Sequence, residues 1–347
     1  MSSSSADYYQ THLDRVSRSF ALCIRQLPSP LRDWVGLSYL LCRLVDTIED
    51  SHWPNLSEQL LIFARFDRAL LAEAEVVHLR DWQRAFPAGL PEGEIALLVD
   101  AEKLLTDYHR FPPQIHEVIR ELVHSMSRGM QHFCRRKNGG HLRLGSLTEV
   151  NQYCFFVAGL VGELLVKLSA RIEPRFPVTE SMLVKAHHFG QFLQKVNLLK
   201  DQVGDEREGR YLIPSREQVE LSSRENANRA FEFLLALPKE QIEFRRFCAW
   251  SLFLGLEALR VARRSLVEHK VLKVSRQRTM ELFASIEGCL SDDGRMRQLF
   301  QSLTEVLGWT QDMPRVTRGQ VVPEWMRELY HGPLEPISLS QLGVTSP

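Results

Sequence analysis

Apolar residues recur at three- and four-residue spacing along nearly the whole chain, the period of the α-helix, and turn-forming residues punctuate the pattern. The spacing predicts a helix over Tyr8–Gln26 closed by Pro28 and Pro30, and one through Val35–Asp50 ended by Pro54. A third is expected over Glu58–His78 with Ser57 as its N-cap. A loop follows over Asp81–Gly93, then helices over Glu94–His109 and Gln114–Arg136, then a loop over Gly139–Gly145. Ser146 and Glu149 make a capping-box pattern ahead of a long helix, Glu149–Ala170. Thr179 opens another that runs to about Gly204, and Leu212–Ser223 reads as irregular. Helices are expected over Arg224–Leu237, Lys239–Glu268, Gln277–Leu307 and Glu324–Tyr330. No repeat, strand series or long linker interrupts them. The expectation is an all-α protein with one domain over 1–347, a core at about 8–307 and a partly irregular tail over 308–347.

Two stretches depart from the usual proportions of a helix. At about 100° per residue, Tyr39, Arg43, Asp46 and Asp50 fall within an arc of roughly 60°. Leu40, Leu41, Leu44, Val45 and Ile48 occupy the other faces. A surface helix has a broad polar face and one apolar stripe; here the stripe is the polar part, which suits a buried helix whose charges face a cavity. In Phe189–Pro214, Gln194, Asn197, Asp201 and Asp205 fall within roughly 80° of arc. Phe192, Leu193, Val196, Leu198, Leu199 and Val203 fill the remainder.

An exposed pair of aspartates one turn apart costs only a few tenths of a kcal/mol, so such a pair alone can be a solvated face. Carboxylates withdrawn from water cost several kcal/mol each unless paired or metal-bound. With apolar flanks on both helices, the four aspartates call for cations. Oxygen-only donors suit a hard ion such as Mg²⁺, which keeps waters and bridges to substrate phosphate. Arg18, Arg43, Lys200, Arg207 and Arg210 lie beside the stripes and could hold phosphate oxygens or pair with the aspartates. Arg207, between Glu206 and Glu208, reads as a salt-bridge partner. In Tyr153–Leu165, Ala158, Gly159 and Gly162 cluster on one side. Each interior glycine costs about 1 kcal/mol against alanine, so something approaches closely there, a helix or a long chain. Phe20, Tyr153, Phe156 and Phe247 could line a greasy tunnel or form ordinary core.

Composition narrows the classes. Forty-three basic residues balance forty-three acidic ones, which argues against a nucleic-acid surface. Six scattered cysteines without a C-x-x-C pair read as reduced thiols and a cytoplasmic protein. The N-terminus lacks a secretory pattern and the best apolar run, Cys154–Val166, is short and interrupted by Glu163. Membrane insertion is therefore not expected, while peripheral contact stays open. Phosphate-loop, nucleophile-elbow, zinc-helix and dinucleotide-fingerprint motifs are absent.

The blocks Ser17–Ala21, Tyr39–Asp50, Tyr153–Gly162, Phe192–Arg210 and Phe247–Trp250 occur in the order seen in squalene synthases. Across roughly 8–290 the chain resembles the squalene/phytoene synthase family, its squalene-making branch in particular. The resemblance implies an isoprenoid-synthase fold with a central cavity. It also implies Mg²⁺-dependent head-to-head coupling of two farnesyl diphosphates through presqualene diphosphate, then NADPH-dependent reduction to squalene. Asp46, Glu49 and Asp50 would form one Mg²⁺ cluster, and Asn197, Asp201 and Asp205 the other. Tyr153 would assist proton removal or steer the cation. Ser17, Arg18, Ser19, Tyr39, Arg43, Gln194, Lys200 and Arg210 would bind or position diphosphate. Phe20, Phe247 and Cys248 would line the pocket of the second half-reaction, and Arg18, Arg43, Lys200, Lys273 and Arg276 would meet NADPH. Lys200 stands where relatives carry arginine, Ser251 where they carry proline, and Ser275 where they carry a basic residue. The alternatives are a dehydrosqualene synthase that makes no reduction and a helical scaffold without catalysis.

Overall fold

In a computed structural model the described residues are 5–137, 139–174, 176, 178–268, 272–309 and 322–332. Most of the expected irregular tail lies outside them, as does the side chain of Arg18. The chain groups into two compact units, Met1–Gly140 with Leu164–Arg175, and His141–Glu163 with Phe176–Pro347.

The first unit is built around α3 (Leu31–Asp50), against which α1 (Ser5–Val16), α4 (Leu56–Leu71), α5 (Glu92–Val99), α6 (Ala101–His109) and α7 (Pro113–Cys134) all pack. Leu37, Leu40, Leu41, Leu44, Val45 and Ile48 of α3 are wholly buried. Each such buried aliphatic side chain contributes about 1.5–3 kcal/mol. Several boundaries differ from the expected ones, and the helix expected to reach His78 ends at Leu71, with a 3-10 helix over Glu73–Leu79 after it. Extended backbone at Ser17 separates α1 from α2 (Arg18–Ile24). Asn55, rather than Ser57, caps α4, its side chain accepting from the Glu58 amide at 2.9 Å. The expected Glu94–His109 helix is two, broken at Asp100, whose carboxylate meets the His12 Nε2 at 2.9 Å.

The second unit is organised on α10 (Glu180–Arg207), with α8 (Leu147–Cys154), α11 (Arg216–Ala236) and α12 (Ile242–Glu268) packed on it. Ser146 and Thr179 cap α8 and α10 as expected, accepting from the amides of Glu149 and Met182. A π turn, Phe155–Gly159, joins α8 to α9 (Leu160–Ser169), whose first four residues belong to this unit. The glycine cluster is a helix crossing. A methyl on Gly162 would lie 1.9 Å from the Ala186 carbonyl oxygen, and one on Gly190 1.9 Å from that of Ala158.

The span expected to be irregular before Arg224 is mostly helix, because Ser215 caps α11. The expected Gln277–Leu307 helix is α13 (Arg276–Glu287) and α14 (Asp293–Val306), the second capped by Asp292. A short α15, Glu324–Leu329, follows. Two short strands, β1 (Leu142–Arg143) and β2 (Arg210–Tyr211), pair in parallel, Leu142 opposite Arg210.

Arg245 is fully buried and fastens several chain ends. Its guanidinium donates to the Leu234 and Leu237 carbonyls at 3.2 and 2.8 Å, to Leu290 O at 3.0 Å and to Asp293 Oδ1 at 2.8 Å. Helix C-termini leave carbonyls without intrahelical partners, and here one planar fork satisfies them. Among the described residues one helix, Leu147–Ser169, is long and apolar enough to cross a membrane, contrary to the shorter apolar run read from the sequence. Its apolar window is 83% buried within the protein, the packing of a core helix.

Candidate active site: two acidic helices

From Val35 to Asp50 on α3 the accessible positions are the ones the arc selects. Tyr39, Arg43 and Asp46 are half-buried and Asp50 is exposed, while the flanking residues and Glu49 are buried. Arg43 donates to Glu94 of α5, reaches Asp46 at 4.0 Å, and thereby stands between two carboxylates. Burial works against the charge of Arg43, but Asp46 and Glu94 outweigh it and hold the guanidinium protonated. Asp46 is pushed up to about 7, by burial first and then by the like charges of Asp50 and Glu94, with Arg43 opposing. Burial also raises Tyr39, against a hydrogen bond with Ser17 and the nearby Arg43. Phe20, half-buried, stacks on Tyr39 with ring centroids 5.7 Å apart, and Ser19 is exposed.

The C-terminal end of α3 is held from three sides. Trp53 Nε1 donates to Ile48 O at 2.7 Å. Gln59 Nε2 donates to Ile48 O and Glu49 O at 2.8 and 3.1 Å, and Lys137 Nζ to Glu49 O at 3.1 Å. A cation at a helix C-terminus also complements the helix dipole. Glu94, Gln59 and Lys137 were not among the residues the sequence marked, because no periodic relation ties them to α3.

On α10 the stripe holds through Leu199 and then opens. Gln194 and Asp205 are half-buried, Asn197 and Asp201 exposed, and Val203, expected on an apolar face, is 52% exposed. Past Leu199 the helix leaves the cover of its neighbours, so the inverted proportions end there. Lys200 Nζ donates to Asn197 Oδ1 at 3.3 Å and reaches Asp201 at 3.2 Å. Arg210, on β2, donates to Asp205 Oδ1 at 2.7 Å and to Glu208 at 3.1 Å. On the inner face, Lys195 is fully buried and donates to Ser222 Oγ at 2.7 Å and to Asn226 Oδ1. Burial lowers it to about 8.

Tyr153 is buried in the last turn of α8, immediately before the π turn. Phe247 and Cys248 are buried on α12, Phe247 stacked on Phe244 at 6.2 Å. Lys273 and Arg276 are exposed, and Ser275 between them caps α13 by accepting from the Arg278 amide. The acidic donors are hard oxygens without thiol or imidazole, the set that suits Mg²⁺. Burial, and then the like charges of Asp50 and Glu94, push Asp46 up, and a divalent cation offsets both. Among the described residues, no three His, Cys, Asp or Glu side chains form a ready metal cage.

The fold is that of the isoprenoid synthases. TcSQS in complex with a ligand superposes with a TM-score of 0.70 at 22% identity, covering 87% of this chain and 91% of that one. A dehydrosqualene synthase in complex with a ligand gives 0.54 at 20% identity, covering 82% and 96%. The family model for squalene/phytoene synthase matches residues 13–230, well over half of the chain, and the protein belongs to that family. The Candida albicans squalene synthase ERG9 is 34% identical over 205 residues, 58% of this chain and 44% of that protein. The Saccharomyces cerevisiae squalene synthase ERG9 is 33% identical over the same coverage. The matched region thus spans less than half the length of these relatives.

Proposed function

We propose that the protein is a squalene synthase, a farnesyl-diphosphate farnesyltransferase that couples two farnesyl diphosphates head to head and then reduces the product with NADPH. The observation that carries it is α3, which from Val35 to Asp50 is buried on every flank except for one accessible stripe of Tyr39, Arg43, Asp46 and Asp50. The second acidic set on α10 and the family membership support the same chemistry.

Asp46, Glu49 and Asp50, with Asn197, Asp201 and Asp205, hold magnesium. One or two carboxylates plus substrate phosphate is how this ion is usually bound, so a preformed protein cage is not required. Magnesium, when bound, neutralises the departing diphosphate. Arg43, Lys200 and Arg210, with Ser17, Arg18, Ser19, Tyr39 and Gln194, bind or orient the diphosphate oxygens. Arg43 and Arg210 now contact carboxylates, so diphosphate binding exchanges one anion for another at these two side chains. Tyr153 assists removal of the proton lost, or steers the cation, as the cyclopropane of presqualene diphosphate closes. Phe20, Phe247 and Cys248 line the dry region of the second half-reaction, where ring faces stabilise cations and water is excluded. Exposed Lys273 and Arg276, with Arg18, Arg43 and Lys200, suit the phosphates of NADPH, which supplies a hydride when bound. The location is cytoplasmic, with peripheral membrane contact serving release of the apolar product.

The test is incubation with farnesyl diphosphate and Mg²⁺, with and without NADPH, and mass spectrometry of the products. Squalene formed only with NADPH is expected. Dehydrosqualene formed despite NADPH would assign the non-reducing reaction, and absence of diphosphate release at any Mg²⁺ concentration would leave a helical scaffold.

A further inference from the structure

Next to the α9–α10 crossing lies a buried polar cluster that the proposed reaction does not use. Glu163 is wholly buried, and His187 of α10 and Tyr330, just past α15, are each 3% exposed. One carboxylate oxygen, Glu163 Oε2, accepts from His187 Nε2 at 2.7 Å and from the Tyr330 hydroxyl. The same C-terminal segment covers the π turn. Trp325 stacks on Phe156 at 5.6 Å, and Tyr330 meets Phe155 edge-on at 5.1 Å. His187 meets Phe155 at 5.0 Å. Gly162 and Ala186, the pair in backbone contact, are the immediate neighbours of Glu163 and His187.

A π turn holds one residue more than the α-helix would place there, and such turns recur at functional sites. Were it to relax to α-helix, everything before it would rotate by about 100° relative to α9. Tyr153 stands two residues before the turn. The cluster holds the turn at Phe155 within it and at Glu163 beyond it, and Trp325 of the same segment covers Phe156. A buried carboxylate without its donors is costly, which ties the register of α9 on α10 to the seating of Tyr330.

We propose that Glu163, His187 and Tyr330 are positioning residues, a clasp by which the segment around α15 sets the direction of Tyr153. This rests on the reading of Tyr153 as a coupling residue. Diphosphate departure depends on the acidic stripes, whereas coupling depends on Tyr153. The readout is therefore the ratio of C30 product to total diphosphate released from farnesyl diphosphate. Tyr330→Phe, which deletes one hydroxyl, and Glu163→Leu, which deletes both acceptors, lower that ratio by about tenfold, the factor equivalent to one buried hydrogen bond. Glu163→Gln keeps a carbonyl acceptor for both donors and stays within about twofold of the parent.

A purely structural role would lower diphosphate release and C30 product in proportion, and that result, or an unchanged ratio, overturns the proposal. Amide hydrogen exchange over 153–160 is measured on the same variants. Faster exchange confined to the π turn is expected in Tyr330→Phe. Should the parent protein release no diphosphate, the enzymatic reading fails by itself. Unchanged exchange in Tyr330→Phe then overturns the clasp separately.

Discussion

Replacing Gly162 by alanine adds one methyl where the structure has no room for it. That carbon would lie 1.9 Å from Ala186 O and 2.5 Å from Ala186 C, both backbone atoms of α10 that cannot rotate aside. To restore ordinary contact the helices must part by more than about 1 Å, and gaps of that size forfeit a quarter to a half of the dispersion along the seam. Overpacking costs about 1–3 kcal/mol, and rigid backbone on both sides places this site at the upper end. The alanine returns about 1 kcal/mol of helix propensity, leaving a net loss of about 2 kcal/mol. Gly204→Ala is the control, since an added methyl there meets nothing within 4 Å and only the propensity gain remains. Urea unfolding, extrapolated linearly to water, compares the two. A shift of about 1 Å in a reacting group can also cost on the order of a hundredfold in rate, so Gly162→Ala should depress C30 product formation. If Gly162→Ala proved as stable as Gly204→Ala, the backbone contact between α9 and α10 would be refuted.

Asp46→Asn and Asp201→Asn should each reduce farnesyl diphosphate turnover by roughly a thousandfold or more. Neither should lower the thermal midpoint, because burial and like charges at Asp46 outweigh its contact with Arg43 and Asp201 is exposed; parental turnover in either variant would exclude the metal assignment. Lys137→Met removes a donor from Glu49 O and from Gln59 Oε1, costing about 1 kcal/mol in urea unfolding. It should also raise the Mg²⁺ concentration needed for half-maximal rate, since the end of α3 that carries Glu49 and Asp50 loosens. Asp293 is held below its usual range, burial opposing and Lys239 and Arg245 outweighing it. Its folded pKa is therefore the lower one, so its stabilisation is present above the unfolded value of about 3.9 and is lost as pH falls through the folded value. Asp293→Asn should flatten the stability change in that acid range and destabilise the protein near neutrality, both measurable by urea unfolding at each pH.

Helical content and the α3 stripe were legible because burial on α3 follows a single period. Tyr39, Arg43, Asp46 and Asp50 are its accessible residues from Val35 onward, as the arc requires, and Glu49 lies off that arc and is buried. The same rule failed at Val203, because periodicity records which face is apolar but not where neighbouring helices end. Breaks at Ser17, Asp100 and Asp292 carry no proline to announce them; each depends on a local cap or a distant partner such as His12. The pairing of Leu142–Arg143 with Arg210–Tyr211 is too short for a two-residue period to register. Glu94, Gln59, Lys137 and Tyr330 reach their partners across spacings that no helical repeat encodes. The glycines of Tyr153–Leu165 did signal a close approach, and the backbone of α10 is what approaches.

Arg245 bears on the order in which the second unit can be completed. Its guanidinium has no exposed surface, yet the carboxylate that balances it belongs to Asp293, 48 residues further along the chain. During synthesis the end of α11 and the start of α12 emerge well before that partner exists. Until Asp293 arrives, burying Arg245 would strand a charge in the interior, so the turn between these helices must stay hydrated. Burial of this part of the core therefore depends on the α13–α14 corner, which supplies both Leu290 O and Asp293 to the guanidinium.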